Sequence, residues 1–152
     1  MPPPLDLALE KQVQGAVRAL VRAGLVRTAH DCSDGGLAVA IAESCVMDRD
    51  RVLGADIDVR AWNALPRRAL LFGEAQARIV VSCVEADRVL EIAASHGVPA
   101  RRIGTVGGDG APLRFTLHDG AFACDTRDLA SAWHDTIPSI MSAGALPSAS
   151  PA

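Results

Sequence analysis

The stretch His30-Asp31-Cys32-Ser33-Asp34-Gly35-Gly36-Leu37 constrains this chain more than any other. Before it, Leu25 to His30 reads as a short strand. After it, Leu37, Ile41 and Cys45 recur at helical spacing, which predicts a helix from about Asp34-Gly35-Gly36 to about Met47. A strand therefore ends in an acidic turn, and paired glycines open a helix. Backbone N–H groups at a helix start have no intrahelical partner and can hold an anion, and glycine lets a ligand come close. Asp31 and Asp34 oppose a bare phosphate, a conflict that a Mg²⁺ ion between carboxylate and phosphate removes. The plainer alternative is capping, in which Ser33 or Asp34 caps the helix and the glycines ease a tight turn. Spacing alone leans toward capping, because helix starts outnumber phosphate sites. The chain has no Gly-x-x-x-x-Gly-Lys-Ser/Thr loop.

Local patterns divide the rest of the chain. Asp6 to Ala23 reads as a helix capped by Asp6, with Val13, Val17, Leu20 and Val21 inward and Gly24 after its end. Leu53 to Val59 alternates at strand period. Ala61 to Ala69 reads as a short helical link interrupted by Pro66, and Leu70 to Gly73 as the lead into a strand at Ala77–Cys83. Glu85 to His96 is a helix. Arg101 to Val106 is a strand closed by Gly107-Gly108-Asp109-Gly110. Leu113 to Leu117 is another, able to pair with Phe122–Cys124 across His118-Asp119-Gly120. Asp128 caps a last helix to about His134. The Ser-, Ala-, Gly- and Pro-rich stretch 138–152 reads as a disordered tail. Strands joined both with and without helices predict an α/β (α+β) domain, a mixed β-sheet with packed helices.

Leu71-Phe72-Gly73-Glu74-Ala75-Gln76-Ala77-Arg78 is the second polar segment. If extended, it puts Glu74, Gln76 and Arg78 on one face, where an acid, an amide and a guanidinium can fix a polar ligand. A solvated face with a weak Glu–Arg pair is the equal alternative.

Composition narrows the function classes. With 15 Lys+Arg against 18 Asp+Glu and a net charge of −3, the chain is a poor candidate for non-specific nucleic-acid binding, which needs a basic face. Five aromatics and no Tyr leave little to stack on bases. No apolar run approaches the roughly 18 residues of a membrane span. Met1-Pro2-Pro3-Pro4 lacks the pattern of a signal peptide, so the expected compartment is the cytoplasm. The four cysteines have neither metal-site nor disulfide-scaffold spacing, and Cys45 and Cys83 read as small core residues. No histidine is placed as a base for Cys32. Gly104 to Gly108 lacks the Gly-x-Gly-x-x-Gly placement of a dinucleotide loop.

Taken together, the motifs resemble a family. Residues 25–40, with His-Asp-Cys-Ser-Asp-Gly-Gly-Leu at their centre, look like the signature of the last domain of phosphoribosylformylglycinamidine synthase. Residues 71–78 resemble its Phe-Gly-Glu-Ser-Gln-x-Arg segment, with Ala75 in place of the serine. Residues 98–108 resemble its Ile-Gly-x-Val-Gly segment, and Leu129 to Trp133 its final helix. The likeness runs from about Pro3 to Ile137, so the expected domain is 3–137 and the expected tail 138–152.

The resemblance implies the fold of the aminoimidazole ribonucleotide synthetase carboxy-terminal domain. It implies a purine-biosynthesis ligase that converts formylglycinamide ribonucleotide, ATP and glutamine-derived ammonia to the formylglycinamidine product, with ATP and Mg²⁺ as cofactors of the complete enzyme. Only the carboxy-terminal part of the second of two duplicated halves is represented, so the chain is expected to be inactive alone. Its expected partners are the missing amino-terminal domains and a glutaminase, with neither nucleic acid nor membrane. No catalytic residue is carried over, and His30 is not given that role. By position, Ser33, Gly35, Gly36, Glu74, Gln76 and Arg78 are candidates for substrate or nucleotide, and Asp31 and Asp34 for metal. Two alternatives stay beside this reading. One is a related enzyme such as aminoimidazole ribonucleotide synthetase or thiamine-phosphate kinase, against which the Phe-Gly-Glu-x-Gln-x-Arg segment argues. The other is a non-catalytic module that associates with a separate amino-terminal chain.

Overall fold

The computed structural model describes residues 5–143. Its elements run α1 (Leu7–Arg22), β1 (Val26–Asp31), α2 (Gly36–Val46), β2 (Leu53–Asp58), α3 (Arg67–Phe72) and β3 (Ile79–Cys83). They continue with α4 (Ala86–Ser95), β4 (Gly104–Asp109), β5 (Leu113–Leu117), β6 (Gly120–Cys124) and α5 (Thr126–Ala143). Asp6 caps α1 as its sequence position predicts, accepting the N–H groups of Ala8 and Leu9 at 2.9 and 3.0 Å. The helix buries Val13, Ala16 and Leu20, while Val21 faces solvent.

The strands form two sheets. β1 and β3 make an antiparallel ribbon, with Asp31 opposite Ile79. The other four are ordered β4-β2-β5-β6, with β2 antiparallel to β4 and parallel to β5. β5 and β6 form the expected hairpin, closed by Phe115 stacked on Phe122 at 5.1 Å between ring centres. The sheet is therefore mixed, and helices pack on it as expected.

The main core joins α2 and α3 to this sheet through Leu37, Ile41, Val46, Leu70, Leu113 and Phe115. Burying each large aliphatic or aromatic side chain stabilises the fold by about 1.5–3 kcal/mol relative to exposure. A smaller cluster of Leu20, Leu25 and Val89 holds α1 and α4 to the ribbon.

Several boundaries differ from the sequence reading. Leu70 to Phe72 belong to helix α3, started by Pro66, rather than to a strand lead-in. Pro66 fixes an entry geometry suited to a helix start, so it opens this helix instead of interrupting one. β4 begins at Gly104 and runs through Gly107 and Gly108, which lie at the register shift between the Ala55–Val106 and Leu53–Asp109 pairs rather than forming the turn. α5 begins at Thr126, where the Asp125 carboxylate accepts the Arg127 N–H at 2.8 Å, so Asp128 lies in the first turn instead of capping.

α5 also continues through Pro138 to Ala143, beyond the expected start of a disordered tail. Pro138 removes the N–H that would bond the His134 carbonyl. Arg49 Nη2 donates to that carbonyl at 3.1 Å and also pairs with Asp135 at 3.5 Å. The His134 ring in turn meets the Val46 carbonyl at the end of α2, at 2.8 Å. Residues 3 and 4 of the expected domain and 144–152 of the expected tail lie outside the described residues.

Candidate functional site

The ribbon brings the two polar segments together. Past the Asp31–Ile79 pair, the Cys32 N–H donates to the Arg78 carbonyl at 2.9 Å. This extends the ladder into the turn after β1 and the loop before β3. The turn and loop then touch through their glycines. Gly36 has φ +71°, and a Cβ there would sit 2.8 Å from the Phe72 carbonyl carbon and 2.9 Å from the Gly73 oxygen. Both the left-handed backbone and the close approach call for glycine.

Capping of α2 differs from the local expectation. Neither Ser33 nor Asp34 is the cap; Gly35 occupies that position with φ 74° and no side chain to offer. Glu74 supplies the acceptor from 39 positions away, its Oε1 taking the Gly35 N–H at 3.0 Å. A carboxylate at a helix N-terminus also meets the positive end of the helix dipole. Ser33 instead donates its hydroxyl to Asp31 Oδ2 at 2.6 Å. That bond, helped by the backbone and by His30, holds the exposed Asp31 carboxyl below its ordinary range.

Glu74, Gln76 and Arg78 do not share a strand face. The chain turns at Gln76-Ala77, Ala77 takes φ 57°, and the strand begins only at Ile79. A single residue in the left-handed region breaks the period-2 alternation that an extended chain would keep. Glu74 and Gln76 are exposed, while Arg78 is half-buried. Arg78 Nη1 donates to the Gly73 carbonyl at 3.0 Å and so closes the loop on itself.

Sequence reasoning missed Glu43. Its Oε2 lies 2.7 Å from His30 Nε2, while His30 Nδ1 lies 2.7 Å from the Asp31 carbonyl oxygen. The ring is thus fixed at the strand end by α2 and by its own turn. The available signal was Glu43 as the one charged residue in a largely apolar helix. Cys32 is buried, and burial pushes its thiol up, away from the thiolate a nucleophile needs.

Asp31 and Asp34 do not by themselves make a magnesium site. Among the described residues no three His, Cys, Asp or Glu side chains gather to hold a metal ion. One Asp31 oxygen is already committed to Ser33. Mg²⁺ prefers six oxygens in near-octahedral array, so most of its ligands would have to come from phosphate, water or other protein. The arrangement presents a rigid polar edge: free Asp34 and Gln76 side chains among the described residues, beside a turn locked by Glu74 and Arg78.

The fold is a mixed sheet with packed helices beside a two-stranded ribbon, and the ribbon carries an acid-and-glycine turn pinned to a Gly-Glu-x-Gln loop. The chain belongs to the family described as AIR synthase related protein, C-terminal domain, whose model matches residues 2–113. Among curated relatives, it is 45% identical over 150 residues to phosphoribosylformylglycinamidine synthase subunit PurL of Anaeromyxobacter dehalogenans (strain 2CP-C), covering 92% of this chain and 19% of that protein. The PurL of Moorella thermoacetica is 41% identical over 142 residues, again covering 92% of this chain and 19% of the relative. Among solved structures, Thermotoga maritima PurL complexed with ADP superposes with a TM-score of 0.70 at 25% identity, covering 84% of this chain and 22% of that one. The same protein complexed with FGAR gives 0.66 at 25% identity, with 80% and 21% covered. The chain thus spans about a fifth of the length of the relatives it matches.

Proposed function

We propose that this chain serves as the carboxy-terminal domain of the second half of a PurL-type phosphoribosylformylglycinamidine synthase. The complete enzyme converts formylglycinamide ribonucleotide, ATP and glutamine-derived ammonia to formylglycinamidine ribonucleotide, in the cytoplasm. The observation that carries this reading is the lock between the two motifs. Glu74 of the Phe-Gly-Glu-x-Gln-x-Arg segment caps the helix opened by Asp-Gly-Gly, so both work as one unit.

Phosphoryl transfer depends on positioning and on charge stabilisation by groups gathered from several places. Here the chain offers Ser33, Gly35, Gly36 and Gln76 as a preformed edge for substrate or nucleotide, with Glu74 and Arg78 holding its shape. Asp31 and Asp34 face any metal-bound phosphate brought to that edge by the amino-terminal domains. Those domains supply the remaining Mg²⁺ and ATP contacts, and a glutaminase supplies ammonia. The domain proper is residues 3–137. Alone, the chain does not turn over ATP. Trp133, Ile137, Ile140 and Met141, exposed along α5, suit a domain that packs against further protein.

The test is a chimaera. The chain replaces the corresponding last domain of Anaeromyxobacter dehalogenans PurL, and formylglycinamidine formation is assayed with ATP and ammonia. Activity near the parent level is expected, with no ADP release from the isolated 152-residue chain. A folded chimaera without activity, or ATP turnover by the chain alone, overturns the reading.

A further inference from the structure

A second polar cluster lies where β2 ends and β4 begins on the four-stranded sheet. The Asp58 N–H donates to the Ile103 carbonyl at 2.7 Å, which draws the end of β2 against the chain entering β4. Around this junction Arg60, Arg101 and Arg102 line one open depression of about 670 Å³, together with Asp58 and Gly104. Pockets for small ligands fall in the range of about 300–1,000 Å³.

Asp58 holds the Arg60 guanidinium, while exposed Arg101 and Arg102 make one longer contact each. Arg60 Nε lies 3.0 and 3.1 Å from the two Asp58 oxygens, and its Nη2 reaches Oδ2 at 2.6 Å. The Arg101 guanidinium lies 6.0 Å over the Trp62 ring. Arg102 Nε points to the Gly104 carbonyl at 3.4 Å. Asp58 is the one acid lining the depression, and Arg60 already neutralises it. Among the described residues, Arg101 and Arg102 have no carboxylate partner. A chain of net charge −3 therefore concentrates uncompensated positive charge in one concavity.

We propose that Arg60, Arg101 and Arg102 form a binding site for the phosphate group of a small phosphorylated metabolite. Guanidinium forks match phosphate oxygens in pairs. A compact dianion suits the two uncompensated guanidiniums of Arg101 and Arg102 beside the Arg60–Asp58 pair, whereas an acidic peptide suits a basic stripe.

Inorganic phosphate and glycerol 3-phosphate are titrated separately into the full 152-residue chain at constant ionic strength, with chloride as the reference, following the arginine Nε–Hε resonances by NMR. Saturable shifts at Arg60, Arg101 and Arg102 are expected. Tighter binding of the ester identifies a phosphorylated metabolite, and equal binding reduces the site to one for free phosphate. R101A/R102A should weaken binding by at least about tenfold, R101K/R102K less, since lysine keeps the charge but loses the fork. R88A, on α4 and paired with Glu85, should bind as the parent does. The proposal is overturned if chloride gives the same shifts, or if R101A/R102A, shown folded by its amide spectrum, binds phosphate undiminished. A glutamate-rich peptide binding there in place of phosphate overturns it too.

Discussion

Glu74 Oε1 accepts the N–H of Gly35 at 3.0 Å, so the cap of α2 comes from a loop 39 positions along the chain. Capping acceptors are worth about 0.5–2 kcal/mol. E74A should therefore lower unfolding free energy by about 1 kcal/mol, read from urea denaturation, and speed amide exchange at Gly35. E74Q keeps an oxygen acceptor and should lose less. Equal stability of E74A and the parent would show that the contact contributes nothing.

Gly36 packs so close to the second motif that it leaves no room for a side chain. G36A places a methyl against the Phe72 and Gly73 backbone while also forcing alanine to φ +71°. Strain of this kind costs about 1–3 kcal/mol before any backbone shift. Gly108, on β4, has open space around it, so G108A should change stability by less than about 0.5 kcal/mol. Thermal unfolding of both variants checks the contrast.

Arg49 stands in for a missing amide. Proline in a helix interior costs roughly 3 kcal/mol, part of it a lost hydrogen bond. The Arg49 contact to the His134 carbonyl offsets part of that cost. P138A should stabilise the chain by about 1–3 kcal/mol. R49A should cost about 0.5–1 kcal/mol in the parent and less in the P138A background, where the new amide claims the carbonyl. A double-mutant cycle measures the difference, and strict additivity would refute the link.

Asp58 should show an acid-side titration. The Arg60 side chain, then the Arg60 amide, push its carboxyl down from 3.8 to about 2. A carboxyl depressed on folding stabilises the native state above its unfolded value. That contribution is fully present above about pH 4 and is lost as pH falls toward about 2. In R60A the Asp58 carboxyl, followed by carbon-detected NMR, should move back toward its ordinary value. The pair is well exposed, so the stability change should be small.

Much of the fold was legible from near-neighbour patterns. Asp6 before an apolar helical stripe and the alternation of Leu53–Val59 are short-range signals, and both elements formed as read. The β5–β6 hairpin followed from a two-sided strand pattern around His118-Asp119-Gly120. The two site segments could be picked out, but their geometry could not. Ala77 carries no residue-type signal for a left-handed backbone, since alanine disfavours it, so the loop read as a strand.

The amino-acid order by itself determined most of the helical and extended stretches, which residues are apolar enough to be core, and which family the motifs resemble. These depend on interactions over a few residues and on residue chemistry. Tertiary structure alone decided that the strands divide into a ribbon and a four-stranded sheet, that Glu74 rather than Ser33 or Asp34 completes α2, and that α5 survives Pro138. In each case an unpaired backbone group or strand edge found its partner on a distant segment. The free energy of satisfying that group arises only once folding has brought the two together.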